Sequence, residues 1–345
     1  MLPVLEKNFG NASSSSHAFG WYAEELVSIA REQVANLINA EPEEIYFTSG
    51  ATESNNLALK GILNKSSNVV SSVIEHSSIL EPLDYLKSIG ANVELIGVNS
   101  DGKLKDFKIE KSDLISLMLA NNEIGTIQNL EPIFTEAKKL KITTHSDATQ
   151  AVGKIPVDVK KLNVDLLSIS AHKIYGPKGI GALYINKNIL DLKPLLHGGS
   201  QESKIRPGTL NVAGIVGFGK ACEIAKDCLK KDSKHTSNLA KSFISLLEQN
   251  QVEYKVNGSL IQRIPGNLNL VFPQTDNVQL ISKLSTKLAI STSSACLTDS
   301  DKPSHVLTAI GLSEKEIKSS IRIGLGRFNT LQEIEKAVIL IKESI

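Results

Sequence analysis

Between residues 44 and 185, short apolar runs alternate with stretches of helical periodicity, and this alternation restricts the fold more than any other feature of the chain. Runs of strand length fall at 44–47, 69–74, 93–98, 114–120, 142–145, 164–170 and 181–185. Leu114-Ile-Ser-Leu-Met-Leu119 is apolar at nearly every position, as a strand must be when both faces of its sheet are covered. Helical spacing marks 20–39, a stretch beginning after Thr48-Ser-Gly-Ala-Thr52, and 77–89. The pattern predicts an α/β fold, a mostly parallel seven-stranded sheet with helices on both faces. Beyond Asn211 it changes: helical signals continue from 212 through 247, followed by strands at 268–272 and 321–324. A smaller α+β C-terminal domain is expected over 229–345, with 1–228 as the large domain, a division that 345 residues can support.

Composition removes several functions. With 38 Lys plus Arg against 37 Asp plus Glu, the chain has no cationic field for nucleic acid or an anionic membrane. No apolar run approaches the roughly 18 residues of a membrane-spanning helix, and Met1-Leu-Pro-Val-Leu-Glu-Lys7 is not a secretory signal, so a cytoplasmic location is expected. Cys222, Cys228 and Cys296 are too few for a disulfide framework and lack CxxC spacing; no metal site is expected. Cys222 and Cys228 fall in a helical stretch and read as buried fillers, whereas Cys296 lies in a small, polar segment read as a loop. Arginine is scarce: only Arg31, Arg206, Arg263, Arg322 and Arg327 occur, which suggests use where a planar, bidentate donor is required, with helix-surface use expected for Arg31.

Three segments carry chemistry. Ser49-Gly-Ala-Thr52 joins a strand to a helix, a place suited to an anion and equally to ordinary capping. Asp147 follows the strand at 142–145, at the carboxyl end where ligand crevices of open sheets form, though an Asp also turns chains there. Lys173 follows the strand at 164–170, and partial desolvation there would suit an imine-forming amine, against the alternative of a solvated loop lysine. An imine-forming Lys, an acid for a pyridinium nitrogen and a phosphate cradle together fit a pyridoxal-phosphate enzyme.

Ordered motifs along nearly the whole chain extend this. Phe9-Gly-Asn11, Phe47-Thr-Ser-Gly-Ala-Thr-Glu-Ser54, Glu75-His76, Asn121-Asn-Glu-Ile-Gly125, Asp147-Ala-Thr-Gln-Ala-Val-Gly-Lys154, Ser170-Ala-His-Lys173, Arg206-Pro-Gly-Thr209, Ser293-Ser-Ala-Cys296 and Ser320-Ile-Arg322 resemble those of a cysteine desulfurase, in the class V aminotransferase-like group. The resemblance implies a fold-type I pyridoxal-phosphate transferase with Lys173 bonded to the cofactor, Asp147 on the pyridinium nitrogen, His76 stacked on the ring and Gln150 on the phenolic oxygen. It implies phosphate contacts from Thr52, Ser170 and His172, with Thr209 reaching in from the other subunit of a homodimer. Asn122 and Arg322 match the groups that hold the substrate carboxylate. The implied reaction releases L-alanine from L-cysteine: Lys173 is anchor and base, His76 an acid or base for the thiol, and Cys296 the nucleophile that becomes a persulfide. An iron-sulfur scaffold protein or another acceptor, as in tRNA thiolation, would take the sulfur. A selenocysteine lyase or other β-eliminating enzyme, and an inactive sulfur-assembly scaffold, are the rival readings. The family's strand ending in Ala-Thr-Thr-Pro has no counterpart, and Met1-Leu-Pro-Val-Leu5 resembles the end of the helix that follows it; a late start, a fragment or a divergent, more open site is expected.

Overall fold

The computed structural model describes residues 1–109, 112–189, 191–292 and 303–345. In chain order the elements are α1 (Leu2–Glu6), α2 (Ala18–Ile38), β1 (Ile45–Thr48), α3 (Ala51–Ile62), β2 (Asn68–Ser72), α4 (Ser77–Ser88), β3 (Asn92–Ile96), β4 (Leu114–Ser116), α5 (Glu131–Lys139), β5 (Thr143–Asp147), α6 (Val159–Leu162), β6 (Leu166–Ser170) and β7 (Gly181–Ile185). There follow α7 (Val212–Gln249), β8 (Lys255–Val256), β9 (Asn267–Val271), α8 (Asn277–Leu284), β10 (Ser291–Thr292), α9 (His305–Ala309), α10 (Glu314–Lys318), β11 (Ser320–Gly324) and α11 (Leu331–Lys342).

The first seven strands form one sheet in the order β1-β7-β6-β5-β4-β2-β3. Only β7 runs against the rest, pairing antiparallel with β6 and β1. Helices cover both faces. On one, α2 and α7 bury Val27, Val34, Ile38, Ile215 and Phe218 against the sheet, and Phe47 of β1 meets Phe218 edge to face with ring centroids 6.5 Å apart. On the other, Leu57 and Leu59 of α3 and Ile79 and Leu83 of α4 pack over strand residues including Val69, Leu114 and Leu183.

The expected strand at 114–120 ends its ladder at Ser116, but Leu117 and Leu119 still donate backbone hydrogen bonds to His145 and Asp147. The chain therefore stays extended beside β5 while Asn121 closes the next turn, accepting from the backbone of Glu123 and Ile124.

A second sheet, β10-β11-β9-β8, is antiparallel and encloses its own core of Leu239, Phe243, Leu247, Leu270, Ile321 and Val338. Position 229, expected to separate domains, falls inside α7, one helix of 38 residues. Its first half belongs to the large core through Ile215, Phe218 and Cys222, its second to the smaller core through Leu239, Phe243 and Leu247. Nothing in 225–235 breaks a helix, since the segment lacks Gly and Pro.

Phe218 joins α7 to α2 and the sheet and is fully buried. Phe218→Ala should lower the unfolding free energy by about 3–5 kcal/mol, the range for emptying a phenylalanine site, as urea denaturation will measure.

Candidate active site

The parallel register of β5 on β6 sets Asp147, the last residue of β5, opposite Ser168, and β6 runs two residues further to Ser170, so both carboxyl ends lie on the same side of the sheet. Asp147 closes β5 and is buried. Its Oδ2 accepts from Asn55 Nδ2 at 2.8 Å and its Oδ1 from the Thr149 backbone N–H at 2.9 Å, both neutral donors. Asn55 Nδ2 also reaches Ser78 Oγ at 2.8 Å, and that hydroxyl lies 2.8 Å from His76 Nδ1. A polar path thus runs from Asp147 through Asn55 on α3 and Ser78 on α4 to His76, the N-cap of α4. Because the Ser78 backbone N–H donates to Nδ1 at 3.1 Å, the neutral ring carries its proton on Nε2. Burial holds the pKa of His76 below the ordinary value, against an opposing pull from Asp147.

The N-terminus of α3 is the place where an anion was expected. Gly50 is its N-cap at φ 150°, and no side chain caps it. A Cβ there would lie 3.8 Å from Ser170 Oγ, so that hydroxyl stands beside the free N–H groups. Ser170 Oγ is 2.8 Å from His172 Nδ1, and burial lowers the pKa of His172. Glu53 in the first turn would repel an anion, but Arg206 holds it in a fork, Nε to Oε1 at 2.8 Å and Nη2 to Oε2 at 3.3 Å.

A cavity of about 460 Å³ is lined by Asn122, Gln150, Lys154, Lys173, Ser291 and Arg322 among others. Thr52 and His76 line a separate depression of about 320 Å³. Arg322, on β11, donates to the Asn122 carbonyl and to Ser291 Oγ, each at 3.2 Å. Thr209 is exposed and lines neither space. Cys296 lies outside the described residues. Among the described residues, no group of three or more His, Cys, Asp or Glu side chains is placed to hold a metal ion, and no helix is long and apolar enough to cross a membrane.

Three expectations need correction. Lys173 is exposed, because a 3-10 turn over Ala171–Ile174 lifts it off the end of β6, so desolvation by the strand is not what sets it apart. Arg31 does not serve the helix surface: it holds buried Glu202 bidentately, at 3.0 and 2.5 Å, and also donates to the Ile45 carbonyl. Cys228 is half-buried, whereas Cys222 is fully buried and its thiol pKa is pushed upward by that burial.

Sequence reasoning passed over Asn55, Lys154 and Glu123. Asn55 lies one helical turn past Thr52, and that spacing was the available signal. Lys154 donates to Gln150 Oε1 at 2.6 Å, and burial, with Lys173 and Arg322 nearby, lowers its pKa to about 8. Glu123 accepts from Ser304 Oγ at 2.6 Å, and burial raises its pKa to about 7 despite Arg322.

The aminotransferase class-V family model matches residues 1–337. Curated relatives include cysteine desulfurase IscS of Aeromonas salmonicida, 46% identical over 99% of this chain and 87% of the relative, and that of Rickettsia bellii, 44% identical over 100% and 86%. The chain belongs to the class V aminotransferases, in their cysteine desulfurase branch. Among solved structures, a NifS-like protein superposes with a TM-score of 0.91 at 36% identity, covering 99% of this chain and 93% of that one. A structure described as SspA in complex with cysteine gives 0.81 at 35% identity, covering 95% and 94%. The fold is accordingly that of the fold-type I pyridoxal-phosphate enzymes of this branch.

Glu123 generates a pH prediction. From the ordinary value of 4.5 up to about 7, the folded chain keeps a proton that the unfolded chain has released. Its contribution to stability is fully present below about pH 4.5 and is lost as pH rises through about 7. Glu123→Gln removes that dependence while keeping an acceptor for Ser304. From pH 5 to pH 8 the difference in unfolding free energy should move in the variant's favour by roughly 2 to 3 kcal/mol. A difference independent of pH would show that the folded carboxyl is already ionised at pH 5.

Proposed function

We propose that this chain is a cysteine desulfurase using pyridoxal phosphate to convert L-cysteine to L-alanine, with the sulfur passing to Cys296. The observation that carries this is the convergence of Lys173, Gln150, Asn122 and Arg322 on one cavity, beside a strand end bearing buried Asp147. The curated relatives bear the same activity in their names, and one of the similar structures is described as holding cysteine.

The residues fit the cofactor. Uncapped N–H groups at the start of α3 with Ser170 beside them suit a phosphate, and Asp147, bonded only by neutral donors in those two contacts, suits a protonated ring nitrogen. Lys173 would hold the cofactor covalently, Gln150 its phenolic oxygen, His76 its ring face, and Thr52, Ser170 and His172 its phosphate. Bound there, pyridoxal phosphate supplies an electron sink for the bonds around the substrate's α-carbon.

The chain's own groups do the rest. Arg322 and Asn122 take the substrate carboxylate, and a planar guanidinium suits that fork. Lys173, displaced by the incoming amine, removes the α-proton and returns it. His76, with its proton on Nε2 and a depressed pKa, exchanges a proton with the substrate thiol. The Cys296 thiolate attacks the substrate sulfur; the new S–S bond forms as the carbon–sulfur bond breaks, its electron pair stays with carbon, and a proton completes the methyl group of alanine. Thr209, exposed in the single chain, is assigned to the phosphate site of a second copy in a homodimer. The division into 1–228 and 229–345, a cytoplasmic location, and an iron-sulfur scaffold or other sulfur acceptor as partner belong to the same proposal.

The purified chain with pyridoxal phosphate, L-cysteine and a reductant should release sulfide and alanine in equal amounts. Lys173→Ala should lower turnover by at least roughly a hundredfold, as loss of a general base does. Cys296→Ser should lose catalytic sulfide release, while Cys222→Ser keeps it. Normal turnover by Cys296→Ser, with pyruvate as product, would replace the persulfide route with β-elimination.

A further inference from the structure

Lys154 is the second lysine of the cavity, less exposed than Lys173. Its environment disfavours a cation: burial and two other cations, Lys173 and Arg322, act on it together. A lysine serving only to fill this space is poorly suited to it, since Met or Gln would avoid desolvating an ammonium. Its contact is specific. Nζ donates to Gln150 Oε1 at 2.6 Å.

The direction of that bond has a consequence. An ammonium has donors and no acceptor, so the end of the Gln150 amide facing it must be the oxygen. The NH2 end is thereby turned away from Lys154, with the cavity that both residues line open to it. The local backbone holds this arrangement. Overlapping turns (Val152 N–H to Ala148, Lys154 and Ile155 N–H to Ala151) keep positions 150 and 154 on one side. Between them, Gly153 has φ 75°, and a Cβ there would come within 2.5 Å of Ile174 Cγ2. Ile174 is the neighbour of Lys173, so the turn bearing Gln150 and Lys154 is seated directly against the one bearing Lys173.

We propose that Lys154 is a positioning residue of the cofactor site: by holding the Gln150 side-chain oxygen, it commits the Gln150 NH2 group to donate to the phenolic oxygen of pyridoxal phosphate. This rests on the reading of the cavity as a pyridoxal-phosphate site. A fixed donor stabilises negative charge on that oxygen, so the cofactor gives up its nearest proton at lower pH. Without Lys154 the amide can turn over and present its own oxygen there.

The test reads the visible absorption of the cofactor-loaded chain against pH, without turnover. Lys154→Met should raise the pH midpoint of the spectral change by roughly one unit, the size expected when a charged form loses a fixed hydrogen-bond donor. Lys154→Gln, which keeps a donor for Gln150 without the charge, should stay close to the parent. In a Gln150→Ala background, Lys154→Met should add no further shift, because it acts through Gln150. If Lys154→Met does not fold, Lys154→Ala takes its place in the same comparison. A full shift in Lys154→Gln, or a shift that persists without Gln150, would overturn the proposal and assign the effect to charge alone. An unaltered midpoint in Lys154→Met would overturn it as well. A parent chain that binds no pyridoxal phosphate and shows no visible band would overturn the cofactor reading itself, and this inference with it.

Discussion

The parallel ladder between β5 and β6 is the constraint on which the site depends. It places Asp147 across from Ser168, with β6 running two residues further to Ser170, so that both strands end on the same side of the sheet. Everything nearby is arranged around the carboxylate left at that edge. Asn55 comes to it from α3, Thr149 from the turn that follows, and His76 through Ser78 from α4. Three separate elements thus converge on the carboxylate that β5 supplies, and a slip of one residue in the ladder would turn Asp147 to the opposite face of the sheet.

Beneath that edge, His145 spans the sheet, Nδ1 to Ser116 Oγ at 2.8 Å and Nε2 to Ser168 Oγ at 3.0 Å. It satisfies both its nitrogens within the core, and burial lowers its pKa to about 4. A neutral bridge next to the carboxylate adds hydrogen bonds without adding a competing charge. Glu75 is similar in kind, buried with its pKa raised well above the ordinary carboxyl value by that burial, and bonded to the Met118 N–H.

The sheet was legible because strand-length runs alternate with helical spacing and the most buried strands, such as β4 and β7, are largely apolar, and all seven runs became strands to within a few residues. The β4 ladder was overread, since residues 117–119 are as apolar as those of a strand but are held to β5 by isolated hydrogen bonds. Lys173, Gln150, Asn122 and Arg322 could be placed from the motifs, and they share a cavity. What pattern could not show was exposure: Lys173 and Lys154 look alike as letters, and only the fold makes one exposed and the other partly desolvated. Arginine scarcity proved more informative than expected, because Arg31 also makes a fork, and Arg327 both pairs with Asp232 at 2.7 Å and lies 4.4 Å over the ring of Tyr175. Asn55 escaped notice because a polar residue on a helix is ordinary until its partner on another element is known.

The length of α7 bears on how such a site could move. Its 38 residues form a rod of about 57 Å, with one end sunk in the core below Lys173 and the other in the core behind the strand that carries Arg322. Two bodies joined by a loop can hinge freely, but two bodies sharing a continuous helix can shift only by bending or twisting the shaft between them. The span between Lys173 and Arg322, proposed to serve the α-carbon and the carboxylate, would then be gauged by a stiff ruler. Substrates would be sorted by whether they fit that span, and an amino acid with its carboxylate displaced by even one methylene would meet a site that cannot stretch to accommodate it.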